Sequence, residues 1–356
     1  MLAAVWHGPN DIRLENKPIP SVLPGTVLVK VKACAICGSD LRIMGDGNPR
    51  ITPPHILGHE ISGEIVELGS GVNNYAVGDR VSTGADVPCG ECNHCRSGRP
   101  NCCDINYAIG YQFDGGFAEY ILLDPLVVKY GPMQKFSKSL PWNHAALAEP
   151  LACCINGYER AFYDQDKGGT VVIFGAGPIG LMLLMLGKDY YKADQIIMVE
   201  PSKNRRQLAS QLGANHVINP DESDPVRSVM DLTNQLGGDL IFTACPVVET
   251  HAQAIKIVAK RGFVNFFGGV PKTDLPISLL SNFIHYREAY ITGSHGSTPK
   301  QHSLALSLIE NGVIDISKIV TDTVPLTNIH EGFAIASSGA SAKVIINPKV
   351  NKNHEN

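Results

Sequence analysis

Residues 170–180, TVVIFGAGPIG, decide the fold: an apolar run, TVVIF, ends in the glycine spacing GxGxxG and leads straight into the helix-like IGLMLLML of 179–186. A buried strand that turns through glycines into a helix is the opening unit of a doubly wound α/β sheet. Gly175, Gly177 and Gly180 permit the tight turn and let a pyrophosphate approach the backbone. With Ile179 they stand at a helix N-terminus, where partial positive charge favours an anion. The next apolar run, IIMVE, closes on Glu200, 25 residues after Gly175, where a carboxylate can bind the adenosine ribose hydroxyls. The same carboxylate repels the extra phosphate of NADP, so NAD is the expected cofactor and NADP the less favoured one. A helix over 204–212 and the runs DLIFTAC and GFVNFFGG continue the alternation, which predicts a Rossmann doubly wound parallel sheet.

Outward from this segment the pattern changes. Up to about residue 145 the chain consists of short strand-like runs, TVLVKVKA, ISGEIVELG, GDRVS and FAEYILL, broken by Gly and Pro, and helices are scarce. An irregular all-β domain is expected there. Beyond residue 290 come a helix over 301–310 and the strand-like AKVIINP, a tail expected to return to the first domain, with 350–356 reading as disordered. The expected divisions are therefore 1–147, 148–289 and 290–356. A chain of 356 residues with 44% hydrophobic and 18% charged residues can bury more than one core. Its net charge of -4 gives no broad pull toward nucleic acid or an anionic membrane, which favours a small-molecule substrate. The opening MLAAVWHGPNDIRLENKP lacks a signal-like apolar stretch and no run is long enough to span a bilayer, so a cytoplasmic protein is expected.

The ten cysteines are unevenly placed. Cys89, Cys92, Cys95 and Cys103 spell C-x2-C-x2-C-x7-C, with Gly90 and Gly98 available for turns, and four thiolates suit a closed tetrahedral zinc that holds a loop together. Cys102 neighbours the fourth position; the longer spacing favours Cys103. Cys34, Cys153, Cys154 and Cys245 lie in apolar segments and read as buried thiols. A second constellation, CGSD at 37–40, GHE at 58–60 and LAEP with Glu149, offers Cys37, His59 and one carboxylate. Three ligands would leave a coordination position open for a substrate oxygen, as a catalytic zinc requires.

In these motifs the chain resembles the zinc-containing medium-chain dehydrogenases over nearly its whole length. GHEISGEIVELGSGV is similar to that family's zinc signature, and the four-cysteine lobe and GAGPIG follow in the family's order. The resemblance implies a GroES-like irregular β-barrel catalytic domain beside the Rossmann domain. It also implies two zinc ions, one catalytic and one structural, and a homodimer or homotetramer. Cys37 and His59 are then zinc ligands with Glu60 adjacent. Glu149 stands where sorbitol-like and threonine-like members carry glutamate and simple alcohol dehydrogenases a cysteine, which favours the polyol branch. Which of Glu60, Glu149 or water completes the shell stays open. Arg205 matches an arginine that lines the adenine pocket in threonine-dehydrogenase-like relatives, whereas Arg206 reads as a solvated helix residue.

The implied reaction is oxidation of a secondary alcohol to a ketone. Alcohols ionise far above neutral pH, so a Lewis-acidic zinc must stabilise the alkoxide, and Ser39 can accept the hydroxyl proton in a relay. Relatives often place a histidine three residues past that hydroxyl. Here it is Arg42, which stays protonated and cannot shuttle protons, though it can pair with an anionic substrate group. A polyol, cyclitol or sugar, with or without a phosphate, is the expected substrate. L-Threonine 3-dehydrogenase is the alternative within enzymes, and a non-catalytic zinc and NADH-binding regulator the alternative outside them. Asp46, Asn48, His55 and Glu119 are polar enough to meet hydroxyl groups, and His295 to reach the nicotinamide end, but each reads more readily as structural.

Overall fold

The computed structural model describes residues 1–162, 168–270 and 276–348; the 350–356 tail lies outside them. The chain divides into two compact units, Met1–Ala152 with the segment from Gly296 onward, and Cys153–His295. Residues 290–295, grouped with the tail in the sequence reading, pack with the second unit because the strand Tyr290–Gly293 pairs in parallel with Val258–Phe266.

In the first unit the strands Met133–Lys135, Arg80–Thr83, Glu60–Leu68, Val27–Ala35, Lys343–Asn347 and Val320–Pro325 lie side by side in that order, and Tyr120–Leu123 also pairs with Val27–Ala35. A smaller sheet joins Asp11–Asn16, Leu2–Gly8 and His55–Ile56. Alternation along Val27–Ala35 sends Val27, Val29 and Val31 into one core with Ile61, Ile65, Val81, Ile121, Val344 and Ile346. The tail strand Lys343–Asn347 is central: Ile345 opposes Ala35 in antiparallel register. The strand Glu60–Leu68 faces the other edge of Val27–Ala35, with Glu60 opposite Ala35. Glu60 and Lys343 therefore belong to strands on either side of one residue.

The second unit is a six-stranded parallel sheet in the order His216–Ile218, Gln195–Val199, Thr170–Phe174, Gly238–Thr243, Val258–Phe266, Tyr290–Gly293. The order reverses at Thr170–Phe174, the switch point at which α/β sheets of this kind bind ligands. Helix Pro178–Asp189 follows that strand, and its residues from Gly180 to Gly187 are all buried, as its nearly unbroken apolar sequence requires.

Candidate functional site

The first cluster grows from the sequence CGSD. Cys37 caps helix Gly38–Asp46, and three residues on, the Asp40 carboxylate accepts a hydrogen bond from the Cys37 amide at 2.9 Å. This reciprocal cap fixes Cys37 at the helix entrance. Asp40 is only 1% exposed, and its other oxygen lies 3.5 Å from His59 Nδ1. His59 is delivered by Gly58, whose φ of +94° and contact with Cys34 Sγ and Phe117 leave no room for a side chain. With Nδ1 turned to Asp40, His59 Nε2 faces the Ser39 hydroxyl at 3.4 Å. Glu60, fully buried, accepts from Lys343 Nζ at 2.6 Å, while its second oxygen has no hydrogen-bond partner among the described residues. Donor atoms of Cys37, His59 and Glu60 all lie within 4.8 Å of one another.

The electrostatics suit a cation. Burial opposes a charge on His59, yet Asp40 and Cys37 outweigh it and hold its pKa well above the usual value. Glu149, in the first turn of helix Ala148–Arg160, is buried close by. Desolvation, reinforced by Glu60 and Asp86, pushes its pKa up to about 7 against the pull of His59 and Lys343. A pocket this rich in thiol and carboxylate, with Asp40 Oδ1 and Glu60 Oε2 buried and without a hydrogen-bond partner among the described residues, is a donor set of the kind zinc takes. Asp40 and Lys343 are then the groups that orient the ligands.

The four-cysteine lobe closes as its spacing predicts. Cys89 Sγ is 3.9 Å from Cys95 Sγ, and Cys92 Sγ 3.9 Å from Cys103 Sγ. Zn–S bonds of about 2.3 Å in a tetrahedron imply sulfur separations of about 3.8 Å. Cys103 joins the cluster, whereas Cys102 is exposed. Amide hydrogen bonds from Asp104 and Cys95 bring Cys92 down to about 6, while burial and the neighbouring Cys92 push Cys95 up to about 12. The sulfurs cannot all ionise together without a cation among them, which is the condition a zinc ion satisfies.

In the second unit, Gly175 has φ +99°, and a Cβ on Gly180 would stand 2.0 Å from the Gly175 carbonyl, so the turn tolerates no side chain there. A Cβ on Gly177 would meet nothing within 4 Å, leaving space for a ligand against the backbone. Gly177 caps helix Pro178–Asp189 without any side-chain hydrogen bond, so the first amides, among them those of Ile179 and Gly180, are available to a phosphate. Glu200 is buried; its two oxygens accept from the amides of Ala176 at 2.7 Å and Ser202 at 2.9 Å. The acid therefore braces the glycine turn. Arg205 is partly buried one turn into the next helix. Arg206 is not a solvated helix residue: its guanidinium donates to the Glu200 carbonyl at 3.0 Å and also to that of Pro201.

Several other polar residues turn out to be structural. Asn48 accepts from the Arg50 amide, His55 donates to the Phe113 carbonyl and Glu119 accepts from the Leu2 amide. Asp46 and His295 are exposed. Sequence reasoning gave no role to Asp40, Lys343 or Tyr111. Tyr111 sets its ring 6.2 Å from that of His59 and interacts with the Ser39 hydroxyl. The available signal for Lys343 was a lone cation in an apolar strand, which demands a counter-ion; Tyr111 carried none.

Residues 23–130 match the alcohol dehydrogenase GroES-like domain, and residues 178–311 the zinc-binding dehydrogenase domain. The chain is 35% identical to an L-threonine 3-dehydrogenase of Pyrococcus horikoshii over 92% of each protein. It is 32% identical to a sorbitol dehydrogenase of Bacillus subtilis over 98% of this chain and 97% of the other. The chain belongs to the zinc-dependent medium-chain dehydrogenases. Among solved structures, the dehydrogenase superimposes on a zinc-binding dehydrogenase from Sinorhizobium meliloti bound to NADP (TM-score 0.90, 31% identity, 98% and 99% coverage). It also superimposes on 2R,3R-butanediol dehydrogenase from Bacillus subtilis (TM-score 0.87, 31% identity, 98% and 99% coverage). The dehydrogenase is thus an oxidoreductase with a GroES-like domain and a Rossmann-like parallel sheet, and none of its described helices is long and apolar enough to cross a membrane.

Proposed function

We propose that this dehydrogenase oxidises a secondary alcohol of a polyol, cyclitol or sugar to the ketone with NAD. The observation that carries the reading is the convergence of Cys37, His59 and Glu60 beside the Ser39 hydroxyl. A bound zinc would supply Lewis acidity toward the alcohol oxygen, and a bound NAD would be the hydride acceptor. Cys37 and His59 are the proposed constant ligands, with Glu60 or Glu149 completing the set. Asp40, against Nδ1, fixes the His59 ring with Nε2 toward Ser39, where His59 would help hold the zinc. Ser39 accepts the hydroxyl proton of the alcohol and passes it on; Arg42, exposed on the same helix, cannot receive it. Burial of His59, Glu60 and Glu149 keeps bulk water from competing with the alcohol.

Glu200 supports NAD over NADP, because a buried carboxylate at the ribose position disfavours a further phosphate. The second zinc is assigned to the lobe of Cys89, Cys92, Cys95 and Cys103. Identity to L-threonine 3-dehydrogenases favours threonine as the second substrate reading. A homodimer is supported by the edge strand Tyr290–Gly293, an uncharged YITG segment that leaves Tyr290 and Ile291 exposed beside exposed Tyr286. The clustering of Cys89, Cys92, Cys95 and Cys103 in a metal-ligand spacing accords with a reducing, cytoplasmic setting. The test is NAD reduction by the zinc-loaded protein across sorbitol, inositol, sugar phosphates and threonine, with His59→Ala as control. Turnover of a polyol that His59→Ala abolishes while NADH still binds supports the reading; turnover of threonine alone replaces it.

A further inference from the structure

A proton that reaches Ser39 needs somewhere to go next. Two polar groups meet the Ser39 hydroxyl: His59 Nε2 at 3.4 Å, and the Tyr111 side chain through a hydrogen bond. His59 cannot take the proton, because its Nδ1 is turned to Asp40 at 3.5 Å and Nε2 is the nitrogen left for the zinc in the reading above. Arg42, one helical turn beyond Ser39, is exposed and stays protonated. Tyr111 is left, and a phenol both donates and accepts a hydrogen bond.

Tyr111 is also fixed where such a role needs it. Its ring stands 6.2 Å, centroid to centroid, from that of His59, and the Arg50 guanidinium lies 5.1 Å from the Tyr111 centroid. That guanidinium is itself anchored: Nη2 donates to the Asn106 carbonyl, and Gln112 Nε2 donates to the Arg50 carbonyl at 3.1 Å. The Tyr111 amide donates to the Ala108 carbonyl at 3.2 Å. A few residues on, the amides of Gly115, Gly116 and Phe117 donate to the carbonyls of Ile56, Gly58 and Leu57 at 2.7, 2.9 and 3.0 Å. The loop bearing Tyr111 and the segment that delivers His59 therefore form one frame, which holds the phenol in range of Ser39 before any substrate arrives. The Arg50 cation over the ring steadies the electron density that gathers there as a hydroxyl proton departs. Tyr111 is only partly buried, so water can receive that proton.

We propose that Tyr111 is the second member of the proton relay, taking the proton that Ser39 passes on and releasing its own hydroxyl proton to water. The inference rests on the secondary-alcohol reading above and supplies the step which that reading leaves open. As the alcohol O–H bond breaks, its proton bonds to Ser39 Oγ, the Ser39 proton moves to Tyr111 Oη, and the Tyr111 proton moves to water. Both hydroxyls end neutral. The alcohol carbon gives its hydride to NAD, and one proton leaves for each ketone formed. Tyr111 does not touch the alcohol; it acts through Ser39.

Tyr111→Phe keeps the ring against Arg50 and His59 and removes only the hydroxyl. Zinc-loaded parent and variant are compared on the best substrate among sorbitol, inositol, sugar phosphates and threonine. The single-turnover rate of NADH formation is measured in water and in deuterium oxide, with and without N-methylmorpholine, a small base too hindered to bind zinc well. The expected loss in Tyr111→Phe is about 10- to 100-fold, the low end of what a positioned acid–base group contributes. The solvent deuterium effect grows, and the added base recovers most of the loss. NADH affinity and the visible spectrum of the cobalt-loaded protein, neither of which needs turnover, stay as in the parent. In protein carrying 13Cζ-tyrosine, the resonance missing from Tyr111→Phe moves in Ser39→Ala. A parental rate in Tyr111→Phe, a loss that the base does not repair, an altered cobalt spectrum, or a tyrosine resonance indifferent to Ser39→Ala overturns the proposal. If the parent oxidises no alcohol, the dehydrogenase reading fails and the relay falls with it, an outcome distinct from an active parent whose Tyr111→Phe variant is unimpaired.

Discussion

Lys343→Met isolates the buried ion pair behind the metal cluster. Lys343 is 4% exposed and Glu60 0%, and their charged atoms are 2.6 Å apart. Glu60 Oε1 has that lysine as its hydrogen-bond partner and Oε2 has none. Methionine matches the lysine stem closely enough to preserve packing, so the substitution strands a carboxylate in a site with no solvent. Breaking a buried pair from one side costs about 3–5 kcal/mol, which for a unit of this size corresponds to about 6–20 °C in melting temperature. Burial disfavours a charged Lys343, but Glu60 outweighs it and holds the lysine above its usual value of 10.5. A raised lysine pKa contributes stability that is complete below 10.5 and disappears only as pH climbs through the folded value, so the deficit is full at neutral pH. Chelator-treated protein is melted or titrated with urea, first as Lys343→Met and then as the Glu60→Gln, Lys343→Met double variant. The double variant should regain at least half the loss, since it removes the stranded charge. A single variant within about 1 kcal/mol of the parent, the value of an exposed pair, would refute the reasoning.

The remaining expectations concern separate parts of the molecule. Cys103→Ser should lower bound zinc by one equivalent and the melting temperature with it, whereas Cys102→Ser should change neither; metal analysis beside a melt tells them apart. Glu200→Ala should raise the ratio of NADP to NAD efficiency and, by stripping the Ala176 and Ser202 amides of their acceptors, cost about 1–3 kcal/mol of stability; steady-state kinetics with both cofactors and a urea titration report on each. His302 is fully buried, its Nε2 3.2 Å from Ser82 Oγ, and burial brings its pKa down to about 4. The folded state therefore resists the proton that the unfolded chain takes up near 6.5, so stability is complete above about 6.5 and falls by at most about 3 kcal/mol on acidification to about 4. Urea midpoints at pH 4.5 and 7.5 should show that slope, and it should flatten in His302→Gln.

Much of this was legible because short-range pattern and chemistry coincide. TVVIF followed by glycines could hardly be anything but a strand entering a helix, and the cysteine spacing named its own cluster. Cys37 and His59, each weak alone, stand out in the sequence because together with Glu60 they fall in a signature that resembles a known family's, and the structure brings the three together. Asp40 was in plain view within CGSD, but its bond to the Cys37 amide is a capping geometry that only a folded helix shows. Lys343 and Tyr111 are different: one reaches the site by strand pairing across some 280 residues of chain, the other from a loop without regular periodicity. Strand edges were also hard to place. Leu2–Gly8 and Val320–Pro325 carry mixed patterns because each is buried unevenly along its length.

The position of Lys343 near the end of the chain has a consequence for synthesis. A nascent polypeptide can form the strand bearing Glu60 long before the last strand leaves the ribosome, so for much of translation this acid has no counter-charge and the central sheet lacks a member. The Glu60 carboxylate therefore waits for its counter-charge until the strand Lys343–Asn347 has been added, some 280 residues further along the chain.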